Sequence, residues 1–304
     1  MKIFGAGLAG LIAGCVFPKA KIYERNAVPF VSHQALLRFR TNKVSEITGI
    51  KFRKVTVLKS IWSEGKEVLP SPRIVALYSN KVSNKYENRS IMDISMETRY
   101  IAPDNFHHLL IDDMRDRITD NYTIDEKDYE RNIIEDNDPI ISTLPLTINA
   151  KMLGYDFQTS RNTNKIYVNK FEIRHCDMYC TVYYPDKDIT VYRASITGNK
   201  LIIESTEKML NNDLWLVKYS LGLTSTQLNQ TLEDYIQPMG KLTKVNDDER
   251  RVMIYKMSHD YNVFSLGRFA LHKNVLLDDV ANDIFVIRSM INDDSYGISI
   301  KGRI

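Results

Sequence analysis

The chain has 304 residues, 43% of them apolar and 26% charged, a balance ordinary for a folded globular protein and unlike that of a disordered or membrane-spanning one. Its net charge of +3 is too small to indicate nucleic acid by bulk electrostatics, although a local basic patch is not excluded by it. Cys15, Cys176 and Cys180 cannot all pair and suggest no disulfide framework, which fits a reducing compartment.

The first twenty-five residues read as strand, glycine-rich turn, helix and second strand. The strand is Ile3-Phe4, the turn is GAGLAG from Gly5 to Gly10, and Lys21 to Tyr23 form the second strand, closed by Glu24. In a G-x-G-x-x-G turn the first glycine permits the tight bend, the second lets backbone approach a pyrophosphate, and the third lets the helix lie close to the sheet. Glu24 follows about 20 residues after the first glycine, where a carboxylate accepts hydrogen bonds from ribose hydroxyls and repels a 2′-phosphate. The motif therefore points to the adenosine of FAD or NAD. The apolar run around it stops at Pro18, too short for a signal peptide or a spanning helix, so the expected location is cytoplasmic with no membrane partner.

Arg25-Asn26-Ala27-Val28-Pro29 is a loop, followed by SHQALLRFR from Ser32 to Arg40. Arg38 and Arg40 bracket Phe39 and are placed to reach cofactor phosphates or an anionic substrate, or to be solvated surface charges. Lys51 to Leu69 predicts two strands around a Glu64-Gly65 turn, in a sheet outside the nucleotide unit. Residues 70 to 100, including Asn88-Arg89-Ser90, are polar and predict short strands. Pro103-Asp104-Asn105-Phe106 opens a helix to about Ile118, with Phe106, Leu109, Leu110 and Met114 on one face. Neighbouring His107 and His108 point about 100° apart on a helix and cannot both serve one metal.

After the acidic Glu135-Asp136-Asn137-Asp138, the run Pro139 to Leu146 predicts a buried parallel strand whose end, Thr143-Leu144-Pro145, faces a ligand crevice. Residues 164 to 204 alternate as an antiparallel sheet of at least four strands with a turn at Gly198-Asn199. Tyr167, Tyr179, Tyr183, Tyr184 and Tyr192 on it offer either a wall for a sugar or ring, or simple amphipathic packing. The His175, Cys176 and Cys180 group in HCDMYC lacks the second ligand pair of a zinc site and reads as strand, so no metal is expected. Thr224 to Leu242 predicts a helix with Leu228, Leu232, Tyr235 and Ile236 on one face. Val263 to Ala270 is a strand broken by Gly267-Arg268. A helix from about Leu276 to Met290 follows, striped by Leu277, Val280, Ala281, Ile284, Phe285, Ile287 and, just beyond it, Ile291.

Taken together, GAGLAG with Glu24, the strand ISTLP, the sheet sequence VYYPDKDITVYRAS…IIES and the terminal SLGRFA resemble the FAD-binding amine-oxidase-like superfamily. Within it, they most resemble UDP-galactopyranose mutase-like flavoproteins. The glycine pair usual after the ribose-binding carboxylate is absent, and SHQALLRFR in its place resembles FAD-dependent oxidoreductases of bacteriophages. The resemblance implies an α/β fold: a Rossmann-like FAD-binding domain split along the chain (1–50, 101–155 and 256–304), with an inserted antiparallel β-sheet substrate domain with helical segments (51–100 and 156–255). It implies FAD contacts at Gly5, Gly7, Gly10, Glu24, Gly267 and Arg268, with Thr143 and Pro145 beside them, and a substrate contact at Arg193; from the residues themselves Leu8, Ala9, Arg25, Arg38 and Arg40 are further cofactor candidates, and Tyr184 and Tyr192 further substrate candidates. It names no catalytic residue. The implied function is a flavoenzyme, an oxidoreductase acting on a small or nucleotide-linked substrate. Alternatives are a mutase that changes a nucleotide sugar's ring size with reduced FAD, and a non-catalytic nucleotide-binding protein of structural or regulatory role.

Overall fold

The structure, a computed structural model, describes residues 1–29, 37–83, 86, 90–131, 138–157, 165–224, 226–237, 242 and 245–292. In chain order the elements are β1 (Lys2–Phe4), α1 (Leu8–Val16), β2 (Lys21–Tyr23), β3 (Arg38–Phe39), α2 (Lys43–Thr48), β4 (Arg53–Ser63), β5 (Lys66–Val68), α3 (Pro72–Ser83) and β6 (Glu97–Ile101). There follow α4 (Phe106–Asp113), β7 (Ile118–Thr119), α5 (Glu126–Arg131), β8 (Ile140–Ser142), α6 (Leu146–Met152), β9 (Ile166–Ile173), β10 (Met178–Tyr183), β11 (Val191–Gly198) and β12 (Lys200–Ser205). The chain ends with α7 (Asn211–Ser220), β13 (Leu228–Gln237), α8 (Asp247–Tyr261), β14 (Val263–Ser265) and α9 (Leu277–Asn292). The fold is mixed α/β, with one parallel sheet and one sheet rich in antiparallel pairs. Two compact units share the chain: Met1–Arg53, Tyr100–Arg161 and Leu242–Ile304 form the first, and Lys54–Arg99 with Asn162–Lys241 the second.

The first unit is built on a five-stranded sheet ordered β14-β8-β1-β2-β7, with every neighbouring pair parallel. Its central strands are apolar on both faces, as a sheet covered by helices on each side requires. Ile3, Ile141 and Phe264 face a core with α1, α4 and α9, supplied by Leu11, Ile12, Phe106, Leu110, Val280 and Ile284. The alternate positions Phe4, Ile140 and Val263 face a second core with Tyr129 of α5, Leu146 and Ala150 of α6, and Met253 and Met257 of α8.

In the second unit the strand order is β13-β9-β12-β11-β10-β4, with β5 folded back on β4. The strands expected from 164 to 204 and the hairpin at Glu64-Gly65 are all present. One pairing is parallel, β10 on β4, so the sheet is mixed. Its core is Phe171, Val182, Tyr184, Ala194, Ile196, Leu201, Ile203 and Val217. Lys81 of α3 donates to the carbonyl oxygens of Tyr184, Asp186 and Val191 at 2.7–2.8 Å, and burial pushes its pKa down to about 8.

Four expectations are corrected. Residues 72–83 are the helix α3 and not strands: Val75, Tyr78 and Val82 recur at helical spacing, and Tyr78 and Val82 are buried. The helix at Phe106 stops at Asp113 and gives way to β7, and Leu109 is exposed while His107 and Ile111 take the buried face. The expected helix over 224–242 is instead β13, paired antiparallel with β9 so that Tyr235 lies opposite Val168. In α9, Phe285 lies outside the buried stripe, at 45% exposure. Expectations that fall on residues 32–36, 88–89, 135–137, 164, 225 and 238–241 lie outside the described residues.

Candidate functional site

The carboxyl ends of β1, β8, β14 and β2 come together, and β1 lies where the strand order reverses direction, the position at which open α/β sheets bind ligands. Beyond Phe4 the chain turns at Gly5, whose φ of +101° suits glycine and whose N–H donates to the Tyr23 carbonyl at 2.8 Å. Thr143, at the end of β8, donates from both its N–H and its Oγ1 to the Phe4 carbonyl, at 2.9 and 2.8 Å. A methyl group on Gly5 would sit 2.2 Å from that Thr143 Oγ1, and one on Gly10 2.0 Å from the Gly5 carbonyl oxygen. These two glycines let α1 and β8 close on the turn. Gly7 differs: apart from its chain neighbours, no atom lies within 4 Å of where its Cβ would be.

Gly7 is also the N-cap of α1. It supplies no capping side chain, and the first turn carries no acidic residue. The N–H groups of a first helical turn have no acceptor within the helix, and they gather about half a positive charge there. At the other end of α1, the Arg117 guanidinium donates to the carbonyls of Gly14 and Phe17 at 3.3 Å. The protein completes one end of this helix and leaves open space at the other.

Glu24 is buried, at 8% exposure. Its Oε2 accepts from the Ala6 N–H at 2.9 Å, and its Oε1 from the Asn26 N–H at 2.9 Å and Nδ2 at 3.1 Å. With about four acceptor positions in all and three filled, the carboxylate keeps capacity for one further donor such as a ribose hydroxyl. The adjacent Arg25 is exposed.

Gly267 brings the turn after β14 against the first turn of α1, a methyl group there lying 3.1 Å from Ala9 Cβ. The Arg268 guanidinium lies 5.6 Å over the Phe269 ring. Pro145 precedes α6, and the Leu146 N–H donates to the Phe269 carbonyl at 3.0 Å. Thus Gly5, Gly7, Leu8, Ala9, Gly10, Glu24, Thr143 and Gly267 meet at one end of the sheet. The start of α9 is arranged differently, with residues 268–276 between Gly267 and the helix. Asp278 in its first turn accepts from the Arg40 N–H at 3.0 Å, and from the Thr41 N–H and Oγ1 at 2.9 Å. Arg38 lies in β3 beside β6, and the Arg40 side chain is exposed.

The three residues assigned to substrate lie in the second unit. Arg193 pairs with Glu204 across β11 and β12, and Tyr192 donates to the same carboxylate at 3.3 Å. Tyr184 is fully buried, with its hydroxyl 2.6 Å from Ser220 Oγ. Tyr184 and Tyr192 are core residues here, and the Arg193 charge is already countered. Among the described residues no group of three or more His, Cys, Asp or Glu side chains is placed to hold a metal, and no helix is long and apolar enough to cross a membrane.

Two features of the site have no counterpart in the sequence reading. Tyr129 and Ser142 both donate to Asn149 Oδ1, at 2.6 and 2.7 Å, and Asn149 Nδ2 donates to the Leu144 carbonyl at 3.1 Å, fixing the turn that carries Thr143. Burial raises the Tyr129 pKa well above the usual phenol value, which keeps that donor protonated. The second feature is His107, whose Nε2 lies 3.2 Å from the Ala6 carbonyl oxygen. No local pattern links residues so far apart in sequence.

No family model matches the chain, and no curated protein sequence matches it. Among solved structures, a reduced UDP-galactopyranose mutase is similar in fold, with a TM-score of 0.68 at 14% identity over 96% of this chain and 95% of that one. The PF1083 protein from Pyrococcus furiosus is similar with a TM-score of 0.55 at 12% identity, over 97% and 100% of the two chains. A third is pqsL from Pseudomonas aeruginosa, "a probable FAD-dependent monooxygenase", with a TM-score of 0.52 at 11% identity over 96% and 86%. The chain shares their fold.

Proposed function

We propose that the chain binds FAD at the carboxyl end of its parallel sheet and acts as a flavoenzyme. The observation that carries this reading is the pairing of open space over Gly7, at the uncapped start of α1, with a buried carboxylate at Glu24. A helix N-terminus of this kind suits a pyrophosphate, and a carboxylate at the end of the second strand suits a ribose. The site is split along the chain: Gly5 to Gly10 and Glu24 hold the adenosine diphosphate part, while Thr143 and Gly267 arrive from distant segments to shape the turn. Arg25, Arg38, Arg40, Pro145 and Arg268 are the further candidates for contact. Fold likeness to structures named as "a probable FAD-dependent monooxygenase" and as a reduced UDP-galactopyranose mutase supports the same reading.

Bound FAD would supply hydride and electron transfer that amino-acid side chains cannot. The chain's own part is to cradle phosphates, hold the ribose and exclude water. The favoured activity is an oxidoreductase working on a small or nucleotide-linked substrate. A mutase-type rearrangement of a nucleotide sugar is the second reading, favoured by the near end-to-end overlap with the mutase structure. Against it stands the pairing of Arg193 with Glu204, which leaves that guanidinium poorly suited to a diphosphate.

The visible spectrum of the purified protein tests the cofactor. A flavin absorbance band, present on purification or gained with added FAD, is expected; its absence in both cases overturns the reading. Reaction of the dithionite-reduced holoprotein with UDP-galactopyranose then separates the two activities, since only a mutase changes the sugar's ring size.

A further inference from the structure

We propose that His107 is a positioning residue for the anion-binding turn, holding the Ala6 carbonyl so that the N–H of the same peptide, on Gly7, faces the open side of the turn where a pyrophosphate sits. The inference rests on the FAD reading and deepens it by adding a residue that touches neither cofactor nor substrate.

His107 lies on α4, 3% exposed, with Nε2 3.2 Å from the Ala6 oxygen. A carbonyl oxygen only accepts, so Nε2 carries the proton of this contact. Burial holds the imidazole pKa below its ordinary value, favouring the neutral ring, in which one nitrogen alone is a donor. In a planar trans peptide the carbonyl and the following N–H point in opposite directions. Among the described residues the cis peptide is Val28-Pro29, so the Ala6-Gly7 peptide is trans. With its oxygen turned toward His107, its N–H on Gly7 is turned away. Apart from its chain neighbours, no atom lies within 4 Å of the would-be Cβ of Gly7, so nothing crowds that part of the turn.

The other polar group of Ala6 is also held, its N–H donating to Glu24 Oε2 at 2.9 Å. Ala6 is thus gripped at both ends, by Glu24 from β2 and by His107 from α4. The Glu24 contact fixes the peptide before Ala6, and the His107 contact fixes the peptide after it. Without the second, the Ala6-Gly7 plane is free to rotate and the N–H to leave the phosphate direction.

The test compares wild type with His107→Phe, which keeps a ring and removes the donor, and His107→Gln, which keeps an amide donor. FAD, ADP and adenosine are titrated into each. The expected result is an affinity loss of about tenfold for FAD and ADP in the Phe variant, the cost of one misdirected hydrogen bond, with little change for adenosine and recovery to within about threefold in the Gln variant. Equal loss for all three ligands indicates general loosening and overturns the proposal. So does undiminished FAD binding by the Phe variant, or a folded Gln variant as weak as Phe. Should the Phe variant not fold, nitrogen-15 spectra of the wild-type histidines decide: a proton on Nε2 of His107 together with a shift of the Gly7 amide on adding ADP supports the proposal, and a proton on Nδ1 alone overturns it. Failure of the wild type to bind FAD at all would instead overturn the cofactor reading, while the histidine tautomer still reports on the His107 contact.

Discussion

Helix α1 begins at a glycine with no capping side chain and no acid in its first turn, whereas α9, in the same unit, begins with Asp278 and Asp279. Asp278 is buried and takes hydrogen bonds from the Arg40 and Thr41 N–H groups and the Thr41 hydroxyl, and the Asp279 carboxylate accepts from the Leu276 N–H at 2.7 Å. Both helices have the same backbone dipole. The second spends its positive end on carboxylates of its own chain, and the first leaves it facing space. The contrast separates a helix start that builds the fold from one reserved for a ligand, and it explains why the first turn of α9 is unsuited to a second phosphate.

Gly10→Ala attacks the α1 side of this contrast most strongly. Its methyl group would meet the Gly5 carbonyl at 2.0 Å, a backbone atom that cannot swing aside, so α1 must lift from the sheet. The expected cost is about 3 kcal/mol with loss of FAD binding, read from denaturant unfolding and flavin absorbance. Asp278→Ala attacks the other side. It removes the acceptor for three donors, with an expected loss of about 2 kcal/mol and retention of some FAD, because the start of α1 is untouched. Gly7→Asp sharpens the comparison by giving α1 the kind of start that α9 has. It should leave stability unchanged or raised by up to about 1 kcal/mol, since a carboxylate there caps the helix, while FAD affinity falls by at least about a hundredfold. A Gly7→Asp protein that still binds FAD normally would mean that the start of α1 is not the phosphate site.

The parts legible in the sequence are those whose signal is local. The Gly5 to Glu24 unit, the strand at Ile140 and the alternation from residue 166 to 205 each carry their own pattern. Helix α8 carries a local signal of the same kind, absent from the expectations above: Asn246 accepts from the Asp248 and Glu249 N–H groups at 3.0 and 3.4 Å, and Asn-Asp-Asp-Glu is a capping sequence. By contrast β13 has leucines at helical spacing and is a strand because β9 offers it an edge, a tertiary effect that no window on the sequence contains. Much of the candidate site was of the first kind, but His107 and the Tyr129, Ser142 and Asn149 network belong to the second. Their roles depend on which distant backbone atom the fold sets beside them.

The parallel sheet also dictates a schedule of assembly. Its middle strand β1 is synthesised long before its neighbour β8, from residues 140–142, and before β14, from residues 263–265, which pairs with β8. On the ribosome, β1 with β2 is therefore held incomplete until more than a hundred further residues have emerged, and β8 keeps an open edge until β14 arrives. Such distant pairings slow folding and leave strand edges exposed to other chains. The expected consequences are chaperone dependence during synthesis and, on the proposed FAD reading, faster refolding when FAD is supplied, which refolding rates measured with and without FAD would check.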